Sequence, residues 1–345
     1  MRTQGGWEFI VLGNLLDLLI YRPFSWLLVN FYDITRSYVL AIILFNLVTK
    51  ALLLYFSARG KLGTMRSQRL QPKVQALQKE FAKDKEKMNA ELGKLYQREG
   101  VSPMSGCLWM LLPFPIFIML YSIIREPLTR LMNFPGMIGD APVTEWLTEL
   151  FTRSGVSIEG INMSGGFAQM QLAQVVHDNF PLVQQNIEQT VRDIDFTFLG
   201  ANMSQVPPLP WVEPSWVMLI PILSAVFAYL SYWVSTKMTR MPQTQQTRTM
   251  ALFSPAISLW FGFTLPAAMS VYWIANSVTA LIQDYFLTKH YNKVLDAEDA
   301  HKAELEARRK AAEQKQKEEE RILRAERLAQ KKKSGKGKYK VKKKP

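Results

Sequence analysis

The sequence predicts an all-α polytopic membrane protein: a five-helix transmembrane core with a hydrophilic groove, a cytoplasmic helical hairpin and an N-terminal interfacial helix. Three observations predict it. Apolar residues make up 48% of the 345 residues and gather into blocks. The blocks reach about 20 residues, the length that a 1.5 Å rise needs to cross a roughly 30 Å hydrocarbon core. Basic residues concentrate in alternate connecting segments, and a lone lysine, Lys50, sits near the middle of the first clean block.

Residues 1–37 form an N-terminal extracytoplasmic segment. Its apolar stretch, residues 7–32, carries Asp17, Arg22 and Pro23 in the middle. A charge at the bilayer centre is costly, whereas Leu12, Leu15, Leu16 and Leu19 recur at helical spacing. The stretch therefore reads as one or two amphipathic helices lying on the outer face, divided at Pro23. It lacks the pattern of a cleavable signal, because Arg2 is the only basic residue before it and Glu8 and Asp17 interrupt it.

Five stretches follow as spans: 38–58, 104–124, 215–235, 250–265 and 267–288. Gly262 and Pro266 turn the last two into a tight hairpin. Cys107, the single cysteine, lies in the second span and reads as a small buried side chain. One thiol forms no internal disulfide.

Residues 59–103 read as a cytoplasmic basic helical hairpin. Leu70, Val74, Leu77 and Phe81 give one apolar stripe, and Met88, Leu92 and Leu95 give another beyond the charged turn 82–87. Gly100 and Pro103 end the second helix. Arg66, Arg69, Lys73, Lys79, Lys83 and Lys85 decorate the first arm and tip. They form either a solvated positive face or a contact for anionic lipids, RNA or a protein partner. Residues 125–214 make an extracytoplasmic loop with a helix expected over 167–189, and 236–249 make a short cytoplasmic loop. The basic tail, 289–345, divides into a charged, solvent-exposed helix over 296–330 and a terminal stretch, 331–345, of mostly Lys and Gly. That stretch begins with Lys331, Lys332 and Lys333 and is expected to lack structure. Such a tail suits attraction to ribosomal RNA or to the inner leaflet.

Charge fixes the expected orientation. Residues 59–103 hold 11 basic and 5 acidic side chains, 125–214 hold 4 and 10, 236–249 hold 3 and none, and 289–345 hold 20 and 10. The positive excess alternates, so the N-terminus is expected outside and the C-terminus in the cytoplasm of a multi-pass plasma-membrane protein.

Lys50 is the residue with most to say about chemistry. A lysine at the centre of a span costs about 2.5 to 3.5 kcal/mol, and Asp284, near a cytoplasmic end, is the only carboxylate in the other spans. Snorkelling is the competing reading, but Ala58 is about 12 Å away along the axis, beyond comfortable reach. Asn46, Thr49 and Ser57 fall on the same face of a straight helix as Lys50. A polar stripe with one unpaired cation implies a hydrated groove. Asn276, Ser277, Thr279 and Gln283 of the last span are candidates for further lining, with Gln283 and Asp284 equally readable as interfacial. No catalytic constellation accompanies them: His177, His290 and His301 lie outside the spans, and no phosphate loop or metal-ligand spacing occurs. The chain reads as no enzyme, with no cofactor and no metal.

Four motifs resemble those of the YidC/Oxa-type membrane protein insertases. Residues 101–121, VSPMSGCLWMLLPFPIFIMLY, resemble the family's N-P-x-G-G-C-x-P-x-x-x-Q-x-P-I-F-x-x-L-Y signature. Residues 196–204, FTFLGANMS, resemble the segment before its third core span, and 261–276, FGFTLPAAMSVYWIAN, resemble its F-P-A-G-L-x-L-Y-W-x-x-S-N hairpin. Residues 71–75, QPKVQ, are similar to its L-Q-P-K hairpin, so the likeness covers about residues 23–291. Ser105, Trp109 and Pro113 depart from a Gly, a Pro and a Gln of the first motif, which lowers the expected polarity there. Lys50 stands where the family commonly has Arg, so the charge is kept and the bidentate fork lost. The absence of the large soluble outer domain of proteobacterial relatives resembles a Gram-positive form.

The resemblance implies five spans around a groove open to the cytoplasm and the lipid but closed outside. It implies insertion of nascent membrane proteins, alone or with the Sec translocon, with the ribosome docking through the basic tail. Lys50 would attract acidic residues of the incoming chain, while its apolar segment slides past Phe117, Tyr121, Trp260, Tyr272 and Trp273. The alternatives are a small-solute transporter or anion channel, which lacks the expected inverted repeat, and a late assembly chaperone.

Overall fold

The computed structural model describes residues 17–101, 113–163, 165–209, 211, 215–239 and 245–340. The first part of the N-terminal stretch, Cys107 with the start of the second expected span, and residues 341–345 lie outside these.

A π-helical turn, Asp17–Tyr21, runs directly into α1, Arg22–Thr35. Pro23 does not divide two helices. It occupies the first turn of α1, where a missing N–H leaves no bond unmade. Ser25, Leu28, Val29 and Tyr32 repeat at helical spacing and are buried, while Trp26 and Ile34 face outward. That buried face packs on α2, Tyr38–Leu52, whose N-cap Ser37 accepts from the Leu40 N–H.

The first expected span is not one straight helix. It breaks at Leu53 and resumes as α3, Leu54–Glu80, bent by 64° from α2. Neither proline nor glycine lies at the break. One turn earlier the Thr49 hydroxyl bonds back to the carbonyls of Phe45 and Asn46, a pattern that often bends helices. Charge and polarity rather than a breaker residue mark this elbow, so a breaker scan passes over it.

α3 and α4, Lys85–Glu99, form the expected hairpin. Asp84 caps α4 by accepting from the Lys87 N–H at 3.0 Å, and Gly100 ends it in the left-handed region at φ 64°. Leu70 and Val74 are buried, and Lys73 reaches Glu99 at 2.6 Å to clasp the two arms.

α5, Pro113–Arg125, leads through the short α6, Pro127–Arg130, into the outer segment. This segment is an ordered cap. It contains α7, Val143–Arg153, α8, Ala168–Asp178, and α9, Phe180–Asn186, with two antiparallel hairpins. β1, Met137–Ile138, pairs with β2, Ala141–Pro142; β3, Thr197–Phe198, pairs with β4, Ala201–Asn202. Leu199 and Gly200 both take positive φ, as a two-residue hairpin turn of type I′ requires. The single helix expected over 167–189 is split between α8 and α9, with Pro181 in the first turn of α9.

One apolar cluster joins the cap to the helices: Leu28, Ile42, Phe45, Leu120, Ile123, Leu147, Phe151, Met170, Phe196 and Met269 are all buried in it. Polar ties reinforce it. The Asp195 N–H donates to the Tyr32 hydroxyl at 2.8 Å, Arg192 pairs with Asp33 at 2.9 Å, and Arg130 pairs with Asp17 at 2.9 Å.

α10, Leu219–Met238, follows a 3-10 turn, and α11, Gln245–Gly262, packs against it. The turn predicted at Gly262 and Pro266 leads into α12, Ala267–Lys340. Its first N–H groups donate to the carbonyls of Gln205 and Met203, so the cap satisfies donors the helix itself cannot. Among the described residues, Trp216–Met238 is long and apolar enough to cross a membrane alone, and the bent pair α2–α3 passes the same test together. Residues of Pro115–Arg125 and Ala251–Gly262 form shorter apolar helices.

The chain divides into two compact units after Thr288. The second unit is helical to Lys340, so the terminal stretch expected to lack structure is helical through its first ten residues. Extending an existing helix needs no new nucleus, and lysine is a good helix former.

Gly262 marks a close approach: a Cβ there would lie 2.7 Å from Cβ of Pro221 on α10. Gly262→Ala should therefore destabilise the protein by about 1 to 3 kcal/mol through overpacking. Gly93→Ala, with open space around its helical position, should stabilise it by about 0.5 to 1 kcal/mol. Thermal unfolding in detergent checks both signs.

Partial burial opposes ionisation of Asp17, but hydrogen bonds from Arg22 and Arg130 outweigh it and hold the carboxyl below its ordinary value of 3.8. A depressed carboxyl contributes stability above the unfolded value and loses it as pH falls through the folded one. Thermal stability should therefore drop as pH falls below 3.8, and Asp17→Asn should flatten that drop.

Candidate functional site

The site is the interior where α2, α10 and α12 present polar side chains among apolar ones. Asn46 on α2 is fully buried, and its Oδ1 accepts from the Thr279 hydroxyl of α12 at 3.0 Å. Its Nδ2 donors have no partner among the described residues, and neither do the buried hydroxyls of Ser224 on α10 and Ser270 on α12. Buried polar groups left unpaired cost about 1 to 3 kcal/mol each, so each favours a water or another partner beside it. Ser270 lies against Gly262 at the start of α12, apart from Asn46.

Lys50 follows Asn46 by one turn. It is half-buried and makes no hydrogen bond or ion pair among the described residues. The carboxylate that sequence reasoning placed near an interface, Asp284, is already engaged. Its Oδ2 accepts from Lys61 Nζ of α3 at 2.8 Å and from the Ser235 hydroxyl of α10 at 2.6 Å. Lys61 is mostly buried and also lies 3.2 Å from Ser235 Oγ. Lys50 and Asp284 each lie about one turn beyond the Asn46–Thr279 hydrogen bond on their own helices, and no ion pair joins them.

The other expected lining residues divide. Asn276 and Gln283 are half-buried on α12, on the turns that flank Thr279. Thr49 is buried and spends its hydroxyl on its own helix, so it offers nothing to a groove. Ser57 lies beyond the 64° elbow, where the face shared by Asn46 and Lys50 does not continue. The same-face arithmetic holds only for a straight helix.

The aromatic residues also divide. Phe117 stacks on Trp273 with centroids 5.7 Å apart, Trp273 meets Phe261 at 5.7 Å, and Phe261 meets Trp260 at 4.8 Å. This ladder runs from the interior to Trp260, which is 64% exposed. Tyr272 is not part of it. It is buried beside Asn46. Tyr121 turns to the cap, edge-on to Phe167, with the Arg125 guanidinium over its ring.

On the hairpin, Lys83 and Lys85 are exposed at the tip. Lys73 is paired with Glu99, and Arg66 and Arg69 each have a partner. Lys331, Lys332 and Lys333 fall within the last turns of α12. The site residues that sequence reasoning missed are Lys61 and Ser235. Lys61 counted as one loop charge among many, and Ser235 as the end of a span; only their convergence on Asp284 distinguishes them.

The outer faces of α10 and α11 carry exposed Leu223, Val226, Leu230, Trp233, Leu252 and Phe253. Contiguous apolar side chains on the outside of helices mark a surface that meets lipid or a protein partner. The comparisons agree and go further. A family model described as 60Kd inner membrane protein matches residues 30–294, and the chain belongs to this family, that of the YidC/Oxa/Alb3 proteins.

Among the relatives, Inner membrane protein ALBINO3, chloroplastic, of Arabidopsis thaliana is 25% identical over 294 residues, 84% of this chain and 54% of its own length. Membrane protein insertase YidC of Paraburkholderia phymatum is 27% identical over 272 residues, covering 79% and 36%. That of Syntrophobacter fumaroxidans is 23% identical over 271 residues, covering 79% and 38%. The chain thus spans about half or less of the length of these relatives.

Asn46→Leu puts two methyl groups where the smaller amide atoms stood, at a fully buried position, and removes the acceptor of the Thr279 hydroxyl, which retains its own helix carbonyl at 2.7 Å. The substitution should lower thermal stability by about 1 to 3 kcal/mol through overpacking, which thermal unfolding in detergent checks.

Proposed function

We propose that this chain is a membrane protein insertase that moves nascent membrane proteins from a polar groove, open to the cytoplasm, into the bilayer. The observation that carries the reading is Lys50: a half-buried ammonium without a counter-ion among the described residues, one turn from the buried Asn46 amide, whose donors have no partner among them. The relatives named membrane protein insertase support it.

In this reading five spans form the core, the N-terminus lies outside and the tail lies in the cytoplasm. The cap over the outer ends of the helices keeps the groove from opening outward. Water in the groove lowers the desolvation cost of a polar tail or hairpin loop. The Lys50 ammonium adds attraction for acidic residues, worth about 1 to 4 kcal/mol at contact between water-like and surface-like dielectric. The substrate's apolar segment meanwhile passes the ladder of Phe117, Trp273 and Trp260 into lipid, where hydrophobic transfer drives the step without a nucleotide. Exposed Lys83 and Lys85 and the basic tail recruit the ribosome or anionic lipids, and the Sec translocon is a further partner.

The test compares insertion of matched substrates with acidic and with neutral tails in cells that depend on this protein. Lys50→Glu should lower insertion of the acidic-tailed substrate by on the order of tenfold and Lys50→Ala by less, with a smaller effect on the neutral tail. Undiminished insertion of the acidic tail by Lys50→Glu refutes the electrostatic role. A cysteine at position 50, in a Cys107→Ser background, should react with an impermeant thiol reagent from the cytoplasmic side only.

A further inference from the structure

The charges around the site do not balance. Lys61 is paired with the carboxylate of Asp284, while Lys50 and Asp284 each lie about one turn beyond the Asn46–Thr279 hydrogen bond on their own helices, without an ion pair between them. Both contacts to Asp284 fall on Oδ2, which leaves Oδ1 without a hydrogen bond among the described residues. The three groups that meet are far apart in the chain: Lys61 and Asp284 by 223 residues, Ser235 and Asp284 by 49. Lys61 has a side chain only 12% exposed, so its pairing with Asp284 is not the loose surface kind that contributes little.

We infer that Asp284 is a specificity-determining residue: a resident carboxylate, pinned by Lys61 and Ser235, with which the acidic residues of an incoming chain compete for the field of Lys50. The inference rests on the insertase reading. Two consequences of opposite sign follow from Coulomb's law. Asp284 subtracts from the positive potential that an acidic tail meets at Lys50, so removing its charge strengthens capture. Lys61 holds Asp284 in place, so removing the Lys61 charge frees Asp284 to neutralise Lys50 and weakens capture. The balance sets how strongly the site prefers acidic over neutral tails. It also limits how tightly a captured tail is held, since the resident carboxylate repels it.

The experiment uses full-length protein in proteoliposomes and a substrate series differing only in the number of aspartates in the translocated tail. The slope of log insertion yield against that number is read, not the yield of the uncharged tail. Asp284→Asn should steepen the slope, raising the ratio between the most acidic and the uncharged tail by on the order of three- to tenfold. Lys61→Gln should flatten it, and Lys61→Arg, which keeps the charge, should restore it. A purely structural tie would change all substrates equally and leave every slope alone, and that result overturns the inference. Slopes moving in the same direction in Asp284→Asn and Lys61→Gln also overturn it. Lys50→Gln separates the two readings. A wild-type slope that survives Lys50→Gln refutes the proposed function, whereas one that vanishes there but ignores Asp284→Asn refutes only this inference.

Discussion

An ammonium on an apolar helix must be hydrated or neutralised, and this requirement organises the molecule. The Asp284 carboxylate is tied to Lys61 and Ser235, so Lys50 has no bonded counter-ion among the described residues. Continuum arguments make such a cation expensive in hydrocarbon and tolerable beside water. The unpaired Asn46 amide and the Ser224 and Ser270 hydroxyls impose the same demand nearby. Each of these groups is a poor element of a dry core.

The cap answers the complementary problem. The segment between α5 and α10 buries Phe151, Met170 and Phe196 in the same apolar cluster as Leu28, Ile42 and Phe45. It also accepts the first N–H bonds of α12 through Met203 and Gln205. The helix that carries Asn276, Thr279, Gln283 and Asp284 is thereby fixed at one end. Gly262 against Pro221 fixes the neighbouring α10–α11 pair at close range. The polar side chains consequently stand on elements whose positions are set by dense apolar packing, which is the usual way a site is held in geometry.

Much of this was legible from residue order. Hydropathy located the apolar helices, the 4-3-4 spacing of Leu70, Val74, Leu77 and Phe81 located the hairpin, and Gly100 and Gly262 located helix ends. Lys50 and Asn46 stood out because a charge and an amide in an apolar run have few explanations. The elbow at Leu53 was not legible, since its residues are good helix formers without a breaker. The inward turn of Tyr272 and the turn of Tyr121 toward Phe167 were equally hidden. An aromatic residue in a span has the same composition whether it faces lipid, cap or interior.

The sequence by itself determined the class of protein, the family and the presence of an interior cation, because these follow from local composition, motif spacing and the cost of charge in hydrocarbon. Only the tertiary structure decided where the one carboxylate of the predicted spans beyond the first is engaged. Lys61, Ser235 and Asp284 come from three helices, and no local pattern encodes a contact across 223 residues. It likewise decided that Ser57 leaves the face shared by Asn46 and Lys50, since a bend of 64° redirects side chains in a way that helical periodicity assumes away.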